Sequence, residues 1–576
     1  MTQQESWLEF ASAEGGAAAD EDLRATDDAA RLESRLEFGT AGLRGLMGPG
    51  FDRMNVVPVV QTTQGFCAYL EDAVGTSELK RRGVAIGYDA RLRSRDFARA
   101  AAAVFVSRGV PVALMGDTCP TPLLATAVDH ANHAAGIMVT ASHNPKAYNG
   151  YKVYWGNGCQ IIPPHDEGIS RAIDANLARW DRPASDALDG DALVSDTLAR
   201  TADAYYAALV DALCFRGMGT FRDSDVRAAY TPLHGVGAPW AERALRAFGL
   251  PAAVEVPEQM APDSDFPTVT FPNPEEGAET WDLCFAAAKR AGAQLALAND
   301  PDVDRLAAAE WDEAAQAYVP FTGNEIGVLL GHWVWTEYKR RNPDADPSKH
   351  ALLCSTVSSK MLRAVAEAEG LHFEETLTGF KWLGNRARDL EAGGVRVLFA
   401  FEEAIGYSFP FAGTTPDKDG VAALAAFYEM AAALRADHGK SVREHLHDLY
   451  GRYGAFAFRQ GYIVSEDPSE NVERFKQYRA KYARTLGGCK VVRVRDMGEG
   501  LDGTPEACDA REAEEPSLPW TRGELMITWY LEGGGEVTLR ASGTEPKLKW
   551  YLEARGDAAS AAADALAEGV RRELLS

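Results

Sequence analysis

The stretch Gly136-Ile137-Met138-Val139-Thr140-Ala141-Ser142-His143-Asn144-Pro145 decides how the chain is read. Ile137 to Val139 is an apolar run that predicts the end of a buried strand. A hydroxyl, an imidazole, an amide and a proline follow directly. Pro145 has no N–H and a fixed φ, so a strand cannot run through it. Asn144, just before it, is pushed away from helical geometry. The pattern predicts a stiff turn at a strand end, presenting Ser142 and His143. Polar turn residues on a rigid scaffold commonly carry chemistry. A serine there also serves as a helix or turn cap, so this stretch alone leaves both readings open.

Three other polar, turn-rich stretches shift the balance. They are Phe38-Gly39-Thr40-Ala41-Gly42-Leu43-Arg44-Gly45, Asn299-Asp300-Pro301-Asp302-Val303-Asp304-Arg305 and Arg540-Ala541-Ser542-Gly543-Thr544-Glu545-Pro546-Lys547. With the first stretch they resemble, in content and order, the four motifs of the α-D-phosphohexomutase superfamily, the phosphoglucomutase/phosphomannomutase family. They span residues 38 to 547, nearly the whole chain. The resemblance implies an α/β fold: three related α/β domains with mixed sheets and a smaller α+β C-terminal domain.

Length and charge bound the function. At roughly 100–200 residues per domain, a chain of this length predicts about three to five domains. A net charge of −25 repels phosphate backbones, which argues against nucleic acid or an anionic membrane as partner. An anionic substrate would need local positive clusters. Eight scattered cysteines, with no C-x-x-C pair, predict free thiols in a reducing compartment. No basic region followed by an apolar run opens the chain, and no apolar run approaches the roughly 20 residues of a membrane span. The expectation is a cytoplasmic protein with no obligate protein partner.

Periodicity supplies the organisation. Leu32 and Leu36 sit at helical spacing and predict a leading amphipathic helix within residues 1–37. Val84 to Tyr88, Val110 to Met115 and Ala135 to Val139 read as strands, separated by helical segments from Phe97 to Ser107 and Thr121 to His130. A strand–turn–helix unit recurs at Val226 to Gly235 and at His350 to Val357, which suggests a diverged triplication. Residues 181–196, rich in Pro, Asp and Gly, read as an interdomain loop, and Pro320 to Gly323 closes the second unit. After Tyr450 come strands at Gly454–Val464, Met526–Tyr530, Glu536–Arg540 and Lys547–Leu552, then a helix from Asp557 to Leu575. The expected domains are 1–190 with the serine loop, 191–322 with the metal loop, 323–450 with a sugar-recognition loop and 451–576 with a phosphate clamp.

Asp300, Asp302 and Asp304 stand two residues apart, so their carboxylates can converge on one hard cation if the backbone bends. An EF-hand needs Gly at its sixth position and Glu at its twelfth; Arg305 and Trp311 occupy them here. With oxygen ligands and a phosphate nearby, Mg²⁺ is the natural ion. Arginine among the glycines of residues 39–45 suits an anion. Arg540, two hydroxyls, a glycine turn and Lys547 would make a cradle for a dianion.

The resemblance assigns roles. It makes Ser142 a phosphorylated serine and a metal ligand, with Arg44 beside it. It gives His143 and Lys418, in the turn Asp417-Lys418-Asp419-Gly420, roles in proton transfer or phosphate steering. It places Glu402 and Glu403 on the sugar hydroxyls, Gly379 in a loop that discriminates the sugar, and Arg305 among the substrate contacts. It makes Arg540, Ser542, Gly543, Thr544 and Lys547 the distal phosphate clamp. Many relatives carry a serine where this chain has Ala404, so one hydroxyl contact is missing. The expected reaction is a Mg²⁺-dependent interconversion of glucose 1-phosphate and glucose 6-phosphate, through glucose 1,6-bisphosphate as intermediate and activator. A phosphopentomutase, a phosphomannomutase and a sugar-bisphosphate synthase are the alternatives. The only partners implied are small sugar phosphates.

Overall fold

The computed structural model describes residues 30–39, 42–276, 279–541 and 547–575. They fall into two compact units. One holds the chain up to Asp346 together with Phe380–Val442; the other holds Pro347–Gly379 and the chain from Arg443 onward. Of residues 323–450, 347–379 and 443–450 lie in the smaller unit and the rest in the larger. The strand–helix pattern of this stretch runs on without a break, so nothing in the sequence marks the division.

The first sheet of the larger unit has the order β1-β5-β4-β2-β3-β6, formed by Gly42–Leu46, Val84–Tyr88, Val112–Leu114, Ala135–Val139, Tyr148–Trp155 and Val194–Asp196 as β1 to β6. The inner strands β2, β3 and β4 run parallel, and β5 and β1 are antiparallel additions. Every residue of β2 and β4 is buried. A parallel strand covered on both faces must be apolar throughout, hence the continuous runs in the sequence. Helices Val56–Leu70 and Ser94–Ser107 meet edge to face through Phe66 and Phe105, 6.2 Å apart and fully buried. Each such ring contributes about 1.5–3 kcal/mol by burial.

Two expectations change here. The glycine-rich segment after Phe38 is not a loop throughout: Gly42–Leu46 is a strand, with Arg44 opposite Gly150 of β5. A Cβ on Gly42 would lie 1.9 Å from the Tyr151 carbonyl oxygen, so the glycine permits the pairing itself. Within residues 181–196, Val194–Asp196 pairs with β3 and extends the first sheet. Three residues are too few to show alternation among prolines and aspartates. Of the expected leading helix, Ala30–Glu33 is helical, and residues 1–29 lie outside the described residues.

The second sheet has the order β11-β10-β9-β7-β8, where β7 is Ala228–Thr231, β8 Val254–Glu255, β9 Leu295–Asn299, β10 Leu306–Asp312 and β11 Ala317–Pro320. Strands β7, β8 and β9 are parallel, while β9–β10 and β10–β11 are antiparallel. Helix Glu279–Ala291 packs on β7 and β9. Helix Gly323–Arg341 begins at a capping box in which Thr322 and Glu325 satisfy each other's backbone N–H groups.

In the smaller unit, β12 (His350–Ser355) and β13 (His372–Thr376) pair in parallel, with helix Met361–Glu369 between them in sequence. The larger unit carries β14 (Arg396–Glu402) and β15 (Gly406–Ser408) as an antiparallel pair. The C-terminal sheet of the smaller unit is antiparallel, with the order β16-β22-β21-β20-β18-β17 and β19 beside β18. Its strands are Phe456–Val464, Thr485–Leu486, Cys489–Asp496, Leu501–Gly503, Met526–Leu531, Glu536–Ala541 and Lys547–Arg555, as β16 to β22, and helix Ala559–Glu573 lies against it. No described helix is long and apolar enough to cross a membrane.

Candidate active site

Ser142 follows β4 and has φ +52°, in the left-handed region that non-glycine residues seldom occupy. The residue is buried, and its Oγ donates to Asp300 Oδ2 at 2.8 Å. The same oxygen lies 3.2 Å from His143 Nδ1. Arg44 of β1 reaches the turn by donating to Asn144 Oδ1 at 3.2 Å.

Asp300 to Asp304 form the turn between β9 and β10. Val303 in its middle has φ +60°, an outlier for a β-branched side chain. Neighbouring backbone fixes it. Val303 N–H donates to the Asp300 carbonyl at 2.9 Å, Gly420 N–H donates to the Val303 carbonyl at 3.0 Å, and Asp300 Oδ1 accepts from Arg305 N–H at 3.0 Å. A Cβ on Gly420 would stand 2.3 Å from the Arg305 carbonyl oxygen. Glycine there lets the Asp417–Gly420 turn dock directly on the acidic turn.

One oxygen from each of Asp300, Asp302 and Asp304 can be chosen so that all three lie within 4.8 Å of one another. The three side chains are buried, and Asp302 Oδ1 and Asp304 Oδ1 accept no hydrogen bond. Buried carboxylate oxygens left in that state are costly unless a ligand takes them up. An all-oxygen donor set of this kind fits a hard divalent cation.

The positive side of the site is more extensive than the motifs indicate. Lys152 of β5, buried, donates to Asp302 Oδ2 at 2.7 Å and to Asp304 Oδ2 at 2.8 Å. Sequence reasoning passed over it. Its one signal was a lysine inside a strand whose neighbours, Tyr151 and Val153, are core residues. Lys418 Nζ lies 3.6 Å from Asp304 and 4.0 Å from Glu402, and Arg305 lies 3.5 Å from Glu275, a second residue the motifs did not include.

Burial dominates the ionisation of these groups. It raises Asp300 far above the usual carboxylate range, and Asp304 and Asp302 push it the same way. Burial acts likewise on Asp302 and Asp304, but Lys152 together with Thr121 at Asp302, and Lys152 together with Lys418 and Arg305 at Asp304, outweigh it, and both carboxyls end low. Burial also holds His143 well below its usual value, reinforced by Arg305 and Arg44, so the imidazole is neutral here. Lys418 moves up despite its burial, because Asp304, Asp417 and Glu402 surround it. Burial lifts Glu402 even though Lys418 and Arg305 oppose the change, and it lifts Glu275 to about 7.

Arg44, Ser142, His143, the three aspartates, Arg305, Glu402 and Lys418 are thus all carried by the larger unit, which also holds Glu403 in the turn after β14. Gly379, Arg540 and Lys547 belong to the smaller unit. Arg540 lies on β21 opposite Met526 and Lys549, and the Lys547 ammonium sits 5.0 Å over the Tyr462 ring. Ser542, Gly543 and Thr544 lie outside the described residues.

Comparison with known proteins agrees with this layout. Models of the phosphoglucomutase/phosphomannomutase α/β/α domains I, II and III match residues 35–179, 203–313 and 322–453, and the model of that family's C-terminal domain matches 527–570. The chain belongs to the phosphoglucomutase/phosphomannomutase family. Over 534 residues it is 45% identical to the phosphopentomutase of Homo sapiens, covering 90% of this chain and 85% of that protein. Over 538 residues it is 39% identical to the glucose 1,6-bisphosphate synthase of Mus musculus, covering 91% and 84%. Its fold is similar to the crystal structure of a putative phosphomannomutase from Thermus thermophilus, with TM-score 0.66 at 22% identity, over 94% of this chain and all of that one. The chain is a phosphomutase-family enzyme by descent. Relatives named for different activities match it at similar length, so family membership leaves the sugar open.

Proposed function

We propose that the chain is a phosphopentomutase that carries the phosphoryl group on Ser142. The observation behind the carrier role is the Ser142 hydroxyl at hydrogen-bond distance from Asp300, beside two buried carboxylate oxygens that lack hydrogen bonds. Phospho-Ser142 gives its phosphoryl to the free hydroxyl of a pentose monophosphate, and the hydroxyl proton passes to a base of the site. The P–O bond to Ser142 breaks as the bond to the sugar forms, leaving a pentose 1,5-bisphosphate. After the sugar reverses, its other phosphoryl returns to the Ser142 oxygen, and a proton goes back to the released hydroxyl. Asp300, Asp302 and Asp304, together with the serine phosphate, would hold Mg²⁺, which when bound neutralises phosphate charge and polarises the phosphoryl group. In this reading the charged Lys418 supplies the proton to the released hydroxyl, Arg44 and Arg305 meet phosphate oxygens, and Glu402 and Glu403 accept from sugar hydroxyls. Gly379 and the clamp of Arg540, Ser542, Gly543, Thr544 and Lys547 keep the roles that the motifs suggest.

The pentose reading is supported by the 45% identity to a protein named phosphopentomutase and by Ala404, which removes a hydroxyl from the sugar turn. Interconversion of glucose 1-phosphate and glucose 6-phosphate is the second reading, favoured by the Glu402–Glu403 pair and the Lys-Asp-Gly turn. The test is a coupled assay with ribose, glucose and mannose 1-phosphates, each primed with its own bisphosphate. A kcat/KM highest for ribose 1-phosphate supports the pentose reading; a clear preference for glucose replaces it.

A further inference from the structure

Arg91 stands in the polar turn after β2, remote in sequence from every motif above, yet its side chain is buried. Its Nη2 donates to the carbonyls of Ser142 and Asn144, both at 2.5 Å. Its Nη1 donates to the carbonyls of Pro145 at 3.1 Å and Tyr148 at 3.3 Å. One guanidinium therefore holds four carbonyls of the segment that carries the proposed phosphoserine. The Phe266 ring, 5.0 Å away, lies against the guanidinium.

Asp89, two residues earlier, completes the arrangement. It pairs with Arg91 Nε at 3.4 Å and accepts from Thr140 Oγ1 at 2.6 Å. The same Thr140 oxygen accepts the Ser142 N–H at 2.8 Å. The segment is thus fixed at its start through Asp89 and Thr140, and along its length through Arg91. Ser142 keeps φ +52° inside this frame. Such a conformation persists only where its surroundings over-determine it.

We infer that Arg91 is a positioning residue that holds the Ser142 turn in its left-handed conformation and so aims the serine oxygen at the acidic centre. A planar fork of donors is needed for this; a lysine ammonium has three donors at one point and cannot span four carbonyls. The inference rests on the carrier role proposed for Ser142, and the test separates the two.

Hydrogen exchange of the full chain, read by mass spectrometry, is compared for wild type, Arg91→Lys and Thr140→Val. In both variants exchange within residues 141–148 should rise by at least about tenfold while β2 and β4 stay protected. On the preferred sugar 1-phosphate, kcat should fall at least about tenfold with KM within about twofold, because the phosphate contacts are untouched. Wild-type exchange in 141–148 together with wild-type kcat overturns the inference, as does an equal rise of exchange throughout the first sheet. If Arg91→Lys does not fold, Thr140→Val decides. If wild type turns over no sugar phosphate, the proposed function falls and the exchange comparison alone decides the role of Arg91.

Discussion

The Ser142 hydroxyl meets the Asp300 carboxylate at 2.8 Å although 158 residues separate them. The contact joins the end of a strand in the first sheet to the end of a strand in the second. Both partners sit on strained backbone, Ser142 itself at φ +52° and the Asp300 turn through Val303 at φ +60°. Strain of this kind costs about 1–3 kcal/mol per residue and collects where geometry matters more than local stability.

The first prediction concerns Ser142. Intact-mass analysis of freshly purified protein should show a fraction about 80 Da heavy, the mass of a phosphoryl group. Ser142→Ala should lose that fraction and its turnover together. An alanine variant with full activity removes the serine from the mechanism.

The second concerns the carboxylates. Asp302→Asn keeps the shape of the side chain but removes a charge from a proposed cation ligand, and Lys152 loses half of its acidic pairing. The Mg²⁺ concentration needed for half-maximal activity should rise at least about tenfold. Wild-type turnover unaffected by EDTA would show that the centre does not work through a metal.

How much of the site was legible in the sequence follows from what kind of contact each residue makes. Ser142, the three aspartates and Lys418 lie in turns whose residue types are unusual as a group, so their patterns stand out along the chain. Lys152 and Arg91 act through long-range contacts and carry little local signal. Lys152 is one position in an eight-residue strand, and Arg91 one of two arginines in a polar turn. Strand β1 was hidden because its glycines, which permit close approach to β5, also read as a loop.

The third prediction tests Lys418. Asp417, which precedes it, accepts from Tyr154 Oη at 2.8 Å and from Gln160 Nε2 at 2.9 Å. Asp419, which follows it, accepts from Tyr205 Oη and caps helix Gly420–His438. The lysine is therefore held from both sides. Lys418→Met keeps the length and removes the charge. If Lys418 moves the proton, kcat should fall about 10²–10⁴-fold. A loss confined to KM would assign it to phosphate binding instead.

The fourth prediction concerns pH. Glu429 is buried, accepts from the N–H groups of Phe215 and Arg216, and is pushed by burial to about 7 despite those bonds. A carboxyl raised above its unfolded value of 4.5 gives stability that is fully present below about 4.5 and is lost as pH rises through about 7. At 1.36 kcal/mol per pH unit the window amounts to about 3 kcal/mol. Urea denaturation of wild type should therefore fall more steeply between pH 4.5 and 7 than that of Glu429→Gln, which cannot ionise there. Parallel curves for the two proteins would mean that Glu429 is charged throughout.

The last prediction concerns Arg540. It stands near the end of β21, two residues before the segment Ser542 to Pro546, with Lys549 opposite it on β22. Two cationic side chains on adjacent strands, next in sequence to a segment that carries hydroxyls and a glycine, suit a phosphate dianion. If they hold the phosphate that does not react, their contacts are the same in the ground state and the transition state, and losing one should raise KM more than it lowers kcat. A charge-assisted contact contributes about 1.5–3 kcal/mol, so Arg540→Ala should lose at least about tenfold in kcat/KM. Inorganic phosphate separates this from a general loss of structure: it should inhibit wild type competitively and Arg540→Ala more weakly. Unchanged KM with unchanged inhibition by phosphate would make Arg540 a strand residue without a ligand, and the clamp would then have to be sought elsewhere in the chain.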